Sequence, residues 1–265
     1  MIKISRGVCI AAASVAVAVL ILLEILRPAP FGKETLDMSF FTSLTRLIGA
    51  AAFVIVTLYL GHDVLSPKNA LNRRVLFILP CLVVAINNLP TVALLRHDAA
   101  VTGTAPEIAF FAVECILVAT FEELVFRGVM FLSILKNRRS TKGIFFSIVV
   151  SSALFGIFHM VNLIYGASFG SVMLQVGYST LVGCMCAFII IKTHSIWLSV
   201  LVHAVFNFCG NIVPRLGDGK MLNAPQIIIT VIISVLCAIY IVISLIKTDA
   251  SDTDRLYREN IRSNK

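Results

Sequence analysis

Charge is what this chain has least of. Only 14% of its 265 residues are Asp, Glu, Lys or Arg, against roughly 25% in a soluble domain. The scarcity excludes a soluble globular protein, and with it the reading of the net charge of +8 as a nucleic-acid footprint. Paired cysteine motifs are also missing. The seven cysteines, Cys9, Cys81, Cys115, Cys184, Cys186, Cys209 and Cys237, include no Cys-x-x-Cys pair and all fall in apolar stretches. They read as small packing residues rather than a redox or metal framework. Neither low-complexity tracts nor a repeat of 20–50 residues is present, which argues against linkers and solenoids.

What is present is apolar sequence, 58% of the chain. A membrane span needs about 20 mostly apolar residues, and runs of that kind occur near 8–26, 44–61, 75–95, 108–135, 143–165, 170–191, 195–213 and 224–246. The expected fold is an all-α polytopic bundle of about eight transmembrane helices in a cell membrane. It forms a single transmembrane domain over 1–246, followed by a tail over 247–265. The first run ends at Glu24-Ile25-Leu26-Arg27-Pro28 with no Ala-x-Ala type site there, so it reads as a retained span rather than a secretory signal.

Loop charge sets the expected orientation. With the N-terminus inside, fifteen cations fall on the cytoplasmic side, among them Lys3, Arg6, Lys68, Arg73, Arg74, Lys136, Arg138, Arg139, Lys142 and Lys192. Six fall opposite: Arg27, Lys33, Arg46, Arg96, Arg215 and Lys220. This bias places both termini in the cytoplasm. The tail mixes Lys247, Arg255, Arg258, Arg262 and Lys265 with Asp249, Asp252, Asp254 and Glu259, and reads as a loose surface segment.

Against this background, Phe121-Glu122-Glu123-Leu124-Val125-Phe126-Arg127 puts three ionisable groups in the middle of the fourth run. Insertion scales set the cost of one such charge at about 2.5–3.5 kcal/mol, so a bundle interior or wet cavity is required. Glu123 and Arg127 are four apart and can pair on one helical face. Glu122 is turned about 100° from Glu123 by the helical period and can point elsewhere. A structural ion pair would explain one Glu, not two.

The fifth run carries Phe155 and His159, with Asn162 about one turn on, and the seventh carries His203 and Asn207. Each alone is an ordinary means of interhelical hydrogen bonding. Together, six polar residues on three runs at similar depth can converge. A carboxylate in an apolar cavity can serve as general base on water, and His and Asn can stabilise an oxyanion. Glu114, two turns before Glu122, could line the same cavity. Glu24, His62, Asp63, Asn87, Asn88 and Gln175 read as packing or interface residues, and Pro90 as a break in the third span.

Glu-Glu-x-x-x-Arg (Glu122, Glu123, Arg127), Phe-x-x-x-His (Phe155, His159) and His-x-x-x-Asn (His203, Asn207), in that order on successive hydrophobic runs, resemble the CAAX protease and bacteriocin-processing (Abi) family of intramembrane proteases. The resemblance covers a core of about 105–210. It implies a helix bundle around a water-filled cavity and peptide-bond hydrolysis at the membrane. By that analogy Glu122 with His159 activates water, His203 and Asn207 form the oxyanion hole, and Glu123 with Arg127 holds the geometry. The family has been described both as metalloproteases and as glutamic proteases. Zinc could take Glu122, His159 and His203, but no His-Glu-x-x-His spacing is present, so a metal-free mechanism without cofactor is the expectation. The implied partners are a peptide precursor or membrane-protein substrate and the lipid bilayer, with no nucleic acid. A non-catalytic adaptor or self-immunity protein of the same fold is the alternative. A proton-coupled transporter is a third class, disfavoured because the polar residues do not fall on two matching halves.

Overall fold

The computed structural model describes residues 6–26, 29–66, 73–138, 140–221, 223–248 and 250–257. The expectations placed on Lys3, Arg27, Lys68, Arg139, Asp249, Arg258, Glu259, Arg262 and Lys265 lie outside the described residues. Helix dominates, and the order is α1 (Arg6–Leu26), α2 (Glu34–Tyr59), α3 (Leu79–Asn87), α4 (Thr91–Leu95), α5 (Ala105–Glu123), α6 (Leu132–Leu135), α7 (Thr141–Phe158), α8 (Phe169–Thr193), α9 (Ile196–Leu216), α10 (Ala224–Ile246) and α11 (Ala250–Asp254). The protein is an all-α, multi-pass membrane bundle.

Each of the eight expected runs coincides with helix, but among the described residues five helical segments are long and apolar enough to cross a membrane: Glu34–Tyr59, Thr141–Leu163, Phe169–Thr193, Ile196–Leu216 and Ala224–Ile246. The third run is a 3₁₀ turn over Arg73–Ile78, the nine-residue α3, a break at Asn88–Pro90, and the five-residue α4. The fourth is continuous from Ala105 to Leu135 but carries Glu107, Glu114, Glu122, Glu123 and Arg127.

Breaks and ends are satisfied by side chains, as a low-dielectric setting demands. At the Pro90 break, Gln226 of α10 donates through Nε2 to the carbonyls of Asn87 (3.0 Å) and Leu89 (3.2 Å) and accepts from the Val92 amide (3.2 Å). α5 starts with a capping box, Thr104 and Glu107 each satisfying the other's backbone. Ser140, Ser168 and Asn223 cap α7, α8 and α10.

α8 is the innermost helix. Cys186 to Ile191 of its second half are fully buried, apolar on every face, as a helix surrounded by helices should be. Glycines let neighbours close in on it: a Cβ at Gly156 of α7 would fall 2.2 Å from Thr180 Oγ1 of α8. At one end of the bundle a two-stranded antiparallel ladder, β1 (Ala99–Val101) with β2 (Gly217–Gly219), ties the segment after α4 to the end of α9. At that same end, Glu107 receives Thr35 Oγ1 (2.5 Å) and pairs with Lys33 Nζ (2.9 Å), fixing α2 to α5. The hydrogen bonds from Thr104 and Thr35, with Lys33 beside them, hold the Glu107 carboxyl well below the usual range.

At the opposite end, residues 247–248 and 250–257 are not loose. Lys192 Nζ donates to Thr248 Oγ1 (2.6 Å), Arg74 pairs with Asp252 (3.2 Å), and Leu256 and Tyr257 are buried against the bundle. Their anchors, at positions 62, 74, 132 and 192, are far away in sequence, which is why the local charge mixture read as a tail. We refer to this segment as the strap.

Candidate active site

The helix that begins as α5 changes register where its charges lie. Leu124–Phe131 is π-helical, with backbone bonds from i to i+5. Single turns of this kind are common at functional sites and widen the helix. Sequence periodicity did not reveal it. The Glu123–Arg127 pair survives the change, with Arg127 NH1 2.9 Å from Glu123 Oε1.

Glu123, rather than Glu122, is the most heavily engaged carboxylate. It is completely buried, and besides Arg127 it accepts from Ser199 Oγ (2.5 Å) and from His203 Nδ1 (2.8 Å), both on α9. Arg127 is 1% exposed and its guanidinium lies over the Phe155 ring, 4.3 Å from the centroid. Space for it comes from Gly183 of α8, where a Cβ would come within 2.9 Å of Arg127 NH2. Phe155 also meets His203 edge-on at 5.7 Å and His159 at 5.0 Å. The ring of the Phe-x-x-x-His motif is therefore the wall between the arginine and both imidazoles.

Glu122 faces the other way, as the helical period implied. Its side chain is 13% exposed and lines a cavity of about 1800 Å³ together with His159, His203 and Asn207. The four residues expected to be catalytic are thus brought to one chamber. Their pairing differs from the expectation: the imidazole in contact with Glu122 is His203, Nε2 to Oε2 at 3.5 Å, not His159. Because the Glu123 carboxylate can only accept, His203 carries its proton on Nδ1 and turns Nε2 to Glu122. By the same logic His159 donates Nδ1–H to the Phe155 carbonyl (2.9 Å), leaving Nε2 as the basic nitrogen. The Asn207 carbonyl accepts from Asn211 Nδ2 (2.9 Å), and its own carboxamide makes no hydrogen bond to another described residue.

Farther along the chamber, Glu114 accepts from Ser39 Oγ (2.6 Å) and meets Arg215 (3.4 Å), while Arg46 packs over Phe121. Both arginines and Glu114 line the same cavity. Asn88, Tyr178 and residues of α10 such as Thr230 and Ser234 complete its walls. Sequence reasoning missed Ser199 and Gly183. Serine and glycine are commonplace in membrane helices, so neither carries a signal of its own.

The tightest trio of potential metal ligands among the described residues is Glu123, Cys186 and His203, with ligand atoms all within 4.8 Å. These residues do not fit a cation. Arg127 already supplies positive charge to the carboxylate, and Ser199 and the His203 Nδ1–H take up two more of its acceptor directions.

No curated protein and no solved structure matches the chain. A family model does: residues 104–209 match the one described as type II CAAX prenyl endopeptidase Rce1-like. The matched stretch runs from the capping box of α5 through π segment, α7 and α8 to just beyond Asn207, and so holds every residue of the three motifs. The motif-bearing core of this chain, residues 104–209, is thus similar to the Rce1-like type II CAAX prenyl endopeptidases.

Proposed function

We propose that the protein is an intramembrane endopeptidase in which Glu122 takes a proton from water. The observation that carries the reading is the division of labour between adjacent carboxylates. Glu123 is sealed off by Arg127, Ser199 and His203, while its neighbour is presented to a large cavity beside the free nitrogen of that same histidine. Two carboxylates held in such different surroundings can take different roles. Glu123 sets the tautomer and orientation of His203; Glu122 is the acceptor for a water proton.

In the proposed sequence, water between Glu122 and the scissile carbonyl loses its proton to Glu122 as its oxygen bonds to the carbonyl carbon. Negative charge then develops on the carbonyl oxygen. The Asn207 carboxamide is the donor available to it, and such a donor contributes about 10²–10³ in rate in well-studied acyl-transfer sites. The proton moves from Glu122 to the leaving amide nitrogen as the C–N bond breaks, returning Glu122 to its carboxylate form. Arg127 stays on Glu123 throughout and holds the negative charge of the pair in place. The steps use no metal, and turnover is expected to persist in excess chelator.

The substrate class supported is a peptide precursor or the extended segment of a membrane protein, reaching a chamber walled largely by apolar residues. Both chain termini are proposed to be cytoplasmic. The test is a comparison of membrane peptides by mass spectrometry in wild-type, deletion, Glu122→Gln and His203→Ala cells at matched protein level. A precursor that accumulates in the deletion and in both variants supports proteolysis and identifies the substrate. Variants that match the wild type while the deletion differs refute catalysis and leave a scaffold role.

A further inference from the structure

The π segment has carbonyl oxygens that are held from outside the helix. His62 Nδ1 donates to the Gly128 carbonyl (2.7 Å), and the Tyr257 hydroxyl donates to the Leu132 carbonyl (2.7 Å). Gly128 is the residue directly after Arg127, and Leu132 is the first residue past the π segment. The two donors are also joined to each other. His62 and Tyr257 form a backbone bridge, their rings meet edge-on at 5.5 Å, and the Asp63 amide donates to the Leu256 carbonyl (2.8 Å). Both side chains are buried, at 1% and 3% exposure. Such donors are not needed by a regular α-helix, whose carbonyls are satisfied within it.

We propose that Tyr257 and His62 are positioning residues: they pin the carbonyls at the middle and exit of the π segment and thereby hold Arg127 in register with Glu123. The proposal rests on the reading that the Glu122 chamber is catalytic. The pinned stretch has little freedom on its other faces, since a Cβ at Gly128 would sit 3.1 Å from Thr57 Oγ1 and 3.3 Å from Ile196 Cδ1. Release of the carbonyls would let the segment relax toward α-helical bonding, which rotates every later residue relative to Glu123. Neither Tyr257 nor His62 falls within residues 104–209, so the brace comes from parts of this chain outside the family core.

The strap has a second set of contacts that never touch the catalytic helix: Thr248 with Lys192, and Asp252 with Arg74 and, through its carbonyl, His194. This separation makes the brace testable. Full-length protein in lipid nanodiscs would be compared as wild type, Tyr257→Phe, which keeps the ring but loses the donor, His62→Phe, and Thr248→Val. Two quantities would be read: amide exchange over residues 124–132, and kcat and KM on the accumulating precursor. Loss of one buried hydrogen bond is worth about tenfold. Tyr257→Phe and His62→Phe are expected to speed exchange over 124–132 by about tenfold and to lower kcat by a similar factor at unchanged KM. Thr248→Val is expected to loosen 250–257 alone. Unchanged exchange over 124–132 in Tyr257→Phe overturns the brace whether or not the precursor is cleaved. Absence of wild-type cleavage would instead refute the catalytic reading, while the exchange result still decides whether the carbonyls are pinned.

Discussion

Glu122 and Glu123 differ by one position and are expected to fail in opposite ways. Glu122→Gln keeps shape and removes the proton acceptor, so turnover should fall by about 10²–10⁴ with the folded fraction unchanged, read as cleavage rate against detergent-resistant monodisperse protein. Glu123→Ala leaves Arg127 buried without its carboxylate, which costs about 3–5 kcal/mol in such pairs. It should show first as a large loss of thermal stability, and of activity only in consequence. Gly183→Ala tests the space made for the guanidinium. The added methyl would crowd Arg127 NH2 and Ser152 Cβ, the latter at 2.8 Å, so the variant should lose activity without any change in the site's own residues. At this scale the motif residues were legible because charge in an apolar run has few explanations. Which imidazole meets Glu122 was not, since that depends on the α5–α9 approach and on the Glu123 clamp, neither of which leaves a local pattern.

Among the elements, helix locations were readable from apolar runs and their caps, and the Pro90 break from the missing amide. The π segment was hidden, because side-chain spacing over eight residues is compatible with either helical form. The docked strap was hidden too, its partners being as far away as His62, which bridges Tyr257. The strap carries a pH expectation. His194, at the end of α8, has its pKa lowered by burial and by the nearby Arg74, against the opposing effect of Asp252, whose carbonyl its Nε2 meets at 2.8 Å; Arg255 adds a further small depression. The folded state therefore favours the neutral ring. Its contribution to stability is full above the unfolded value of about 6.5 and is lost as pH falls below that toward the lower folded value. The protection factors of amides 250–257, that is, exchange corrected for its intrinsic dependence on pH, should fall between pH 7.5 and 5.5 in wild type, and much less in His194→Gln.

For the whole molecule, the two ends of the bundle carry different charge. Arg74, Lys192 and the strap gather at one end, while Lys33, Glu107 and the β1–β2 ladder gather at the other. The cation bias of the loops is the ground for proposing that the first end is cytoplasmic. A fluorescent protein fused after Lys265 should therefore fluoresce, and alkaline phosphatase inserted after Gly166, between α7 and α8, should be active; the reverse pattern would invert the topology. The same arrangement gives the Glu122-bearing helix two sets of contacts, from α9 through Ser199 and His203 within residues 104–209, and from the strap through Tyr257 outside them.

The most direct measurement of the central claim is hydrolysis by purified full-length protein in nanodiscs, in water enriched in oxygen-18, using the precursor that accumulates in deletion cells. Wild type should release a fragment whose new terminal carboxylate carries one heavy oxygen, and Glu122→Gln should leave the precursor intact at equal folded concentration. The same labelled product from Glu122→Gln, at the wild-type rate, would contradict the assignment of Glu122 as the group that activates water.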